Sequence, residues 1–283
     1  MDHTFTLSNG AEIPAIGFGT YMAAQGGDET ILREAIRQGY RHFDTAAFYQ
    51  NEEALGNAVR ESGLPRKDFF IASKLWRDKL GYDSALREFD ATLNRLGMEY
   101  LDLYLIHWPR PIDLEAEWKN GVAGSWRAME ELYQAGKVRA IGVSNFLPHH
   151  LNQILERSSL MPMVNQLEFH PGYVQKAAVD FCQKLGILVE AWSPIGRARL
   201  LKEPLLLELA DKYQVSQAQV CIRFALQCGV LPLPKSSSGE RMRQNLHVFD
   251  FTIEDNDMYR LLTLPQIGWS GEHPDRKRLP PEQ

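Results

Sequence analysis

The chain has 283 residues and carries 31 lysines and arginines against 36 aspartates and glutamates, a formal net charge of −5. This near balance argues against a protein that wraps nucleic acid or lies on an anionic membrane surface, and we expect neither partner. Hydrophobic residues make up 44% and charged residues 24%, as in ordinary globular proteins. One α/β barrel of roughly 250 residues would use nearly the whole length, so we predict a single domain over residues 1–283.

Cysteine usage and the N-terminal sequence bear on the cellular compartment. Cys182, Cys221 and Cys228 are odd in number and lack C-x-x-C spacing, which argues against a disulfide framework or a thiolate zinc site. The first residues show no cationic segment followed by an apolar run, and no stretch of about 18 apolar residues occurs. We therefore expect a cytoplasmic protein without a membrane span.

A β-hairpin is the first predicted element, within Thr6 to Ile13, because Asn9-Gly10 is typical of a type I′ turn. Short runs rich in β-branched and aromatic residues follow it. Eight such runs are predicted to be strands: Ala15 to Gly19, Tyr40 to Asp44, Phe69 to Lys74, Leu101 to His107, Val138 to Val143, Met163 to Leu167, Ile187 to Trp192 and Val230 to Leu233.

Helical periodicity fills the intervals between these runs. Before the fourth run it places Ala85, Phe89, Leu93 and Leu96 on one face. A glycine at the end of a periodic stretch predicts a helix stop. Five positions fit: Gly39, Gly63, Gly97, Gly136 and Gly186.

Apolar strands that alternate with helices predict parallel pairing, and eight of them predict closure into a (β/α)8 TIM barrel. We expect an N-terminal β-hairpin, an extra C-terminal helix and an irregular tail from Gly268 to be added to this barrel. An open doubly wound sheet is the alternative. It is disfavoured because Gly17-Phe18-Gly19 continues to Met22, where the dinucleotide fingerprint G-x-G-x-x-G requires its third glycine.

Ionisable residues are predicted to meet at one end of the barrel. Asp44, Lys74 and His107 end the second, third and fourth strands, and Tyr49 follows Asp44 by five residues. The carboxyl ends of parallel barrel strands lie side by side, where barrel enzymes place their chemistry. Singly, such residues are usually a helix cap, a surface charge or a hydrogen-bonded imidazole. Together they predict a proton-transfer site.

Elementary electrostatics assigns roles within this group. At about 4 Å and an effective dielectric of ~20, an ammonium would stabilise a phenolate by roughly 4 kcal/mol before desolvation is deducted. We therefore expect Lys74 to lower the pKa of Tyr49 and Asp44 to keep Lys74 charged. His107 would orient a carbonyl oxygen or share in proton transfer.

The later strand ends predict a cofactor cradle. Ser144 and Asn145 end the fifth strand, Gln166 lies in the sixth, and Trp192 and Ser193 end the seventh. A carboxamide-bearing aromatic ring would stack on the indole and hydrogen-bond to the two amides.

A phosphate site is predicted after the eighth strand, where Lys235, Ser236, Ser238 and Arg241 surround the start of a helix. Cations, hydroxyls and free backbone N–H groups favour an anion there. An ordinary serine N-cap with surface cations is the alternative.

No metal site is predicted. His149 and His150 are adjacent, and neighbouring residues of a helix do not face the same way, so we interpret them as surface residues.

Four segments carry a family resemblance: GYRHFDTA at 39–46, LYLIHWP at 103–109, GVSNF at 142–146 and LPKS at 233–236. The chain resembles the aldo-keto reductase family from the N-terminal hairpin to about Leu264. That resemblance implies a TIM barrel that reduces carbonyl groups with NADPH and has no Rossmann fold. It implies a monomer, and the short polar tail from Gln266 is similar to that of bacterial 2,5-diketogluconate and small-aldehyde reductases.

The resemblance also implies residue roles by position. The catalytic tetrad would be Asp44, Tyr49, Lys74 and His107, with Tyr49 as general acid. Nicotinamide contacts would fall on Ser144, Asn145, Gln166 and Trp192, and contacts with the 2′-phosphate on Lys235, Ser236 and Arg241, with Ser238 and Asn245 nearby. The substrate pocket would be aromatic: Tyr21, Phe48, Trp76 and Trp108. For Phe48, core packing is an equal alternative.

Two positions depart from the common family pattern, since many members have tyrosine or phenylalanine at Trp192 and an acidic residue at Gln244.

Two other function classes stay open. One is a cofactor-binding regulatory or structural relative, because the family also resembles potassium-channel β subunits and some lens crystallins. The other is a barrel hydrolase or lyase, which would leave Trp192 and the Lys235 cluster unexplained.

Overall fold

The computed structural model describes residues 3–111, 113, 117–158 and 160–276, apart from the Gln25 side chain. Strands β1 (Thr4–Thr6) and β2 (Glu12–Pro14) form the predicted antiparallel hairpin. The predicted type I′ turn is wrong, because only Gly10 of the Asn-Gly pair has a positive φ, at 82°. The amide of Gly10 donates to the carbonyl of Leu7, so a tight turn is followed by one left-handed glycine, as in three-residue hairpin loops.

Eight parallel strands follow, each paired with its neighbour in sequence. The ring closes between the first and last strands, where the Gly17 amide donates to Pro232 O and the Gly19 amide to Pro234 O, both at 3.1 Å. The predicted TIM barrel is confirmed. Its strands are β3 (Phe18–Gly19), β4 (His42–Asp44), β5 (Phe70–Leu75), β6 (Leu101–Ile106), β7 (Val138–Ser144), β8 (Val164–Glu168), β9 (Leu188–Trp192) and β10 (Val230–Leu233).

The helices surround this sheet, and their inner faces are apolar. Helix α3 buries Ala85, Phe89, Leu93 and Leu96 as predicted. The five glycines predicted to stop helices all have positive φ. The helices are α1 (Thr30–Arg37), α2 (Glu52–Glu61), α3 (Tyr82–Leu96), α4 (Lys119–Gln134), α5 (Pro148–Leu155), α6 (Lys176–Lys184), α7 (Pro204–Tyr213), α8 (Gln217–Gln227), α9 (Gly239–Leu246) and the extra C-terminal helix α10 (Asp255–Leu262).

The hairpin packs against the apolar interior of the barrel. Leu7 and Ile13 belong to the same buried cluster as Leu103, Leu105 and Leu231 from inside the strands. A larger cluster fills the space between strands and helices. With the interior packed by apolar side chains, the polar residues at the carboxyl ends of the strands form the accessible face.

The tail follows α10. Up to Arg276 its only regular pairing is a bridge between His273 and Arg276, so the predicted irregular conformation is confirmed there, whereas residues 277–283 lie outside the described part of the chain. Among the described residues no helix is both long and apolar enough to span a bilayer.

Candidate active site

A buried ion pair lies at the centre of the carboxyl face. Lys74 Nζ donates to both carboxylate oxygens of Asp44 at 2.6 Å and to Thr45 O at 2.9 Å. Burial acts to lower the pKa of Lys74, but Asp44, by its charge and its hydrogen bonds, and the neighbouring Tyr49 and Glu190 together outweigh it, and the pKa is raised. Asp44 therefore keeps the lysine charged, as expected from the sequence.

Tyr49 stands beside this pair at the end of a short 3₁₀ turn, Ala47–Tyr49, with Lys74 Nζ 5.2 Å from its ring centroid. Lys74 acts to lower the pKa of Tyr49, as expected, but the net pKa is raised. Burial raises the pKa of Tyr49, and the ammonium only partly opposes this. The phenol therefore retains its proton at neutral pH, which is the state that a general acid needs.

His107 directly follows β6 and completes the predicted group, its ring centroid 5.7 Å from that of Tyr49. Burial lowers its pKa well below the usual value, and the cations Lys74 and Arg77 lower it further. Its Nδ1 is buried and has no hydrogen-bond partner among the described residues. The imidazole is therefore neutral and retains hydrogen-bonding capacity for a ligand.

The predicted cradle residues converge next to the tetrad. Asn145, at a φ of 63°, donates from Nδ2 to His107 O at 3.0 Å and accepts from Trp192 Nε1 at 2.9 Å. Gln166 Nε2 donates to Asp44 Oδ1 at 2.8 Å. Ser144 Oγ donates to Gln166 O at 3.0 Å. Ser193 follows Trp192 with a φ of 52°.

The predicted phosphate segment forms the start of α9. Ser238 is its N-cap, accepting from the Arg241 amide at 3.5 Å, and the buried Ser236 hydroxyl accepts from the Ser238 amide at 3.1 Å. Lys235 and Arg241 form no ion pair with any residue that the structure describes. Buried Asn245 lies further along this helix. Two unpaired cations at a helix N-terminus suit a phosphate group.

Aromatic rings surround Tyr49 and His107. The rings of Phe48 and Trp76 stack with centroids 3.9 Å apart, and Trp76 lies 5.1 Å from His107. Tyr21 lies 5.1 Å from Tyr49, and Trp108 is 6.5 Å from His107. Phe48 is 49% exposed, which decides against the core-packing alternative.

Two ionisable residues at this face are absent from the sequence predictions. Arg197, left-handed at a φ of 54°, places its guanidinium 5.7 Å from the Trp192 ring centroid and 5.8 Å from that of Tyr21. Glu190 lies fully buried in β9 and accepts from Gln166 Nε2 at 2.8 Å. The signal in the sequence was one acidic residue within the apolar run ILVEAW.

The interpretation of the histidine pair as surface residues is correct for the exposed His149 and wrong for His150. His150 is buried, and both Nε2 atoms reach Asp275, at 3.0 Å from His149 and 2.9 Å from His150. The three side chains offer atoms close enough to hold a metal ion. However, His150 Nδ1 accepts from the Leu147 amide, so Nε2 carries the proton that Asp275 accepts. The cluster thus ties the tail to the start of α5.

The tail approaches the cradle. The amide and hydroxyl of Ser270 donate to the Glu168 carboxylate at 2.9 and 2.7 Å. Glu272 and Pro274 then line a small cleft together with Asn145 and Trp192.

Comparison with known proteins agrees with this geometry. The model of the Aldo/keto reductase family matches residues 15–264. The chain belongs to the aldo/keto reductase family. The family resemblance inferred from the four sequence segments is thus confirmed, and these reductases are oxidoreductases.

Individual relatives extend the comparison. Glyoxal reductase of Bacillus subtilis is 44% identical over 276 residues, covering 97% of each chain. Glycerol 2-dehydrogenase (NADP(+)) of Saccharomyces cerevisiae is 38% identical and covers 88% of this chain and 87% of its own. A crystal structure of an aldo/keto reductase from Brucella melitensis, 38% identical, has a TM-score of 0.86 and covers 92% of this chain and 98% of its own.

Proposed function

We propose that this aldo-keto reductase reduces small aldehydes, dicarbonyls or keto-sugars to alcohols with NADPH, and that Tyr49 is the general acid. The observation that carries the proposal is the buried Asp44–Lys74 pair beside a protonated Tyr49 and a neutral His107. An acid with a held proton and a neutral hydrogen-bonding imidazole suit the protonation of a carbonyl oxygen.

The residues present fit a nicotinamide cofactor. Asn145 and Gln166 offer amide groups beside the partly exposed Trp192 indole, and the cations at α9 suit an added phosphate. NADPH is favoured over NADH because Lys235 and Arg241 have no carboxylate partner among the described residues. The name of the yeast relative, glycerol 2-dehydrogenase (NADP(+)), supports this choice.

The proposed division of labour follows from the protonation states. When bound, the reduced nicotinamide would supply a hydride to the carbonyl carbon. The neutral His107 would hold the carbonyl oxygen by a hydrogen bond near the Tyr49 hydroxyl. Tyr49 would give its proton to that oxygen as negative charge develops there, and Lys74 would stabilise the resulting phenolate, since their charges are opposite. Asp44 would hold Lys74 in place.

The proposed substrate class rests on the rings around Tyr49. Tyr21, Phe48, Trp76 and Trp108 would enclose a small carbonyl compound. The name glyoxal reductase, carried by a relative 44% identical, supports dicarbonyls as one such class.

We further propose one domain over residues 1–283, acting as a monomer in the cytoplasm on a small-molecule substrate. The three cysteines are free thiols, which supports a reducing compartment.

The test is consumption of NADPH and NADH by the purified protein with methylglyoxal, an aromatic aldehyde and a keto-sugar. We expect turnover with at least one carbonyl and a preference for NADPH. NADPH binding without turnover of any carbonyl would favour a regulatory relative instead. Turnover of a substrate without either nicotinamide would favour a hydrolase or lyase.

A further inference from the structure

Glu190 is a buried acid for which the proposed proton transfer has no use. It lies in the middle of β9, in register with Gln166 of β8, and its side chain is completely buried. The groups that face it are Gln166, Asp44, Lys74 and His42, whose Nε2 is 3.8 Å from Glu190 Oε1. Burying a carboxyl group is costly, so its retention beside the tetrad requires an explanation.

The contact that explains it is with the Gln166 amide. Nε2 of Gln166 has two hydrogens, and it donates to Asp44 Oδ1 and to Glu190 Oε2, each at 2.8 Å. Both donors are thereby used. The two acceptors belong to carboxyl groups on different strands. They therefore fix which way the nitrogen and the oxygen of the amide point, and they prevent the amide from rotating.

The opposite side of the same amide is left available. Gln166 Oε1 accepts no hydrogen bond from any side chain or backbone group in the described parts of the chain. The amide of Asn145, the other predicted nicotinamide contact, is engaged on both sides, by His107 O and by Trp192 Nε1. Of these two amide oxygens, Gln166 Oε1 is therefore the one that accepts no hydrogen bond within the described residues.

We propose that Glu190 is a positioning residue that holds the Gln166 amide with Oε1 presented as an acceptor to the carboxamide amino group of the nicotinamide. This inference rests on the proposed cofactor. Without Glu190, Asp44 alone would hold one hydrogen of Nε2, and the amide would rotate about that single bond. In the wild-type protein, Glu190 would thus influence which nicotinamide analogues bind without touching the cofactor itself.

A cofactor analogue isolates this contact. The oxidised 3-acetylpyridine analogue of NADP⁺ keeps the ring and the carbonyl but replaces the amino group by methyl. We expect the wild-type protein to bind it about 5- to 10-fold more weakly than NADP⁺, since one hydrogen bond is lost. Binding would be measured by quenching of tryptophan fluorescence, which requires no turnover.

Variants of Glu190 and Gln166 test whether the weaker binding of the analogue relative to NADP⁺ depends on Glu190. Glu190→Leu removes the acceptor, and the ratio of the two dissociation constants should fall below about 2. Glu190→Gln retains an acceptor oxygen and should restore the ratio. Gln166→Leu should abolish the discrimination, and Glu190→Leu should have no further effect in that background. Should Glu190→Leu fail to fold, Glu190→Val, which also lacks an acceptor, provides the same comparison.

The outcomes separate this inference from the proposed function. NADP⁺ binding with an unchanged ratio in Glu190→Leu, or equal weakening of both ligands, would overturn the positioning role alone. Absence of NADP⁺ binding by the wild-type protein would overturn the proposed cofactor, and the inference with it.

Discussion

Lys74 Nζ lies 2.6 Å from each carboxylate oxygen of Asp44, with both side chains almost completely buried. Water therefore cannot replace either partner if the other is removed. The two residues therefore form one electrostatic unit, on which the protonation of the neighbouring phenol depends.

Replacing the acid tests that unit. Asp44→Asn leaves a buried ammonium without its counterion, and we expect the free energy of unfolding to fall by about 3–5 kcal/mol. We expect kcat to fall at least ~100-fold, because Lys74 then loses its charge or its position. Urea unfolding and steady-state kinetics measure the two effects. Lys176→Met, which breaks the exposed pair with Asp180, is the control and should cost under ~1 kcal/mol. Equal effects of both variants would contradict the account.

Cofactor choice is tested at the start of α9. Arg241→Ala should weaken NADPH binding about 10- to 100-fold and NADH binding less than ~2-fold, since only NADPH has the added phosphate. Arg243→Ala, an exposed cation in the last turn of the same helix, is the matched control. Fluorescence titration with both cofactors gives the dissociation constants. Equal losses for NADPH and NADH in Arg241→Ala would place the phosphate contact elsewhere.

Glu190 predicts a pH dependence of stability. Burial, and after it the charge of Asp44, raise its pKa to about 8, against a value of ~4.3 in an unfolded chain. Between these values the unfolded state releases a proton that the folded state retains. Raising the pH from 5 to 8 therefore lowers the free energy of unfolding, by up to a few kcal/mol. Glu190→Gln removes this contribution, so the free energy of unfolding of the variant should increase relative to that of the wild type as the pH rises.

Urea unfolding at pH 5, 6.5 and 8 measures that difference. Glu53→Gln, at an exposed glutamate, should follow the wild-type curve at every pH. The account is wrong if the Glu190→Gln curve also runs parallel to the wild type.

The tail should loosen when its anchor is removed. Asp275 accepts from His150, contacts His149 and lies 3.4 Å from Arg110. Asp275→Asn removes the charge shared by these contacts, so amide hydrogen exchange in residues 268–276 should quicken about 5-fold or more. Asp211→Asn, on the exposed surface, should leave exchange there unchanged. Unaltered exchange in Asp275→Asn would mean that the other contacts of the tail, among them those of Ser270 with Glu168, are sufficient to hold it.

The strand runs and the helix-stop glycines predicted the fold because each of these local patterns reflects a single physical requirement. Val230–Leu233 coincides with its predicted strand, and Asp44 closes β4 as expected. The helix-stop glycines require a left-handed backbone that other residues rarely adopt. The hairpin turn was missed because Asn-Gly suits more than one turn geometry.

The sequence predicted which strand-end residues would lie close together, but it did not predict the direction of every pKa shift among them. Strand order alone brings Asp44, Lys74 and His107 together. The direction of the Tyr49 pKa shift depends on how much water the folded chain excludes, which no spacing reveals. The hydrogen bond of buried His150 likewise has its partner, Asp275, 125 residues away along the chain.

Tyr49→Phe tests whether the Tyr49 hydroxyl delivers the proton, because turnover and cofactor binding can both be measured in this variant. This change removes the phenolic proton and leaves the cradle residues in place. We expect NADPH-dependent turnover of methylglyoxal to fall at least ~1,000-fold while the dissociation constant of NADPH changes less than ~3-fold. Turnover within a few-fold of the wild type, with NADPH still bound, would show that another group delivers the proton.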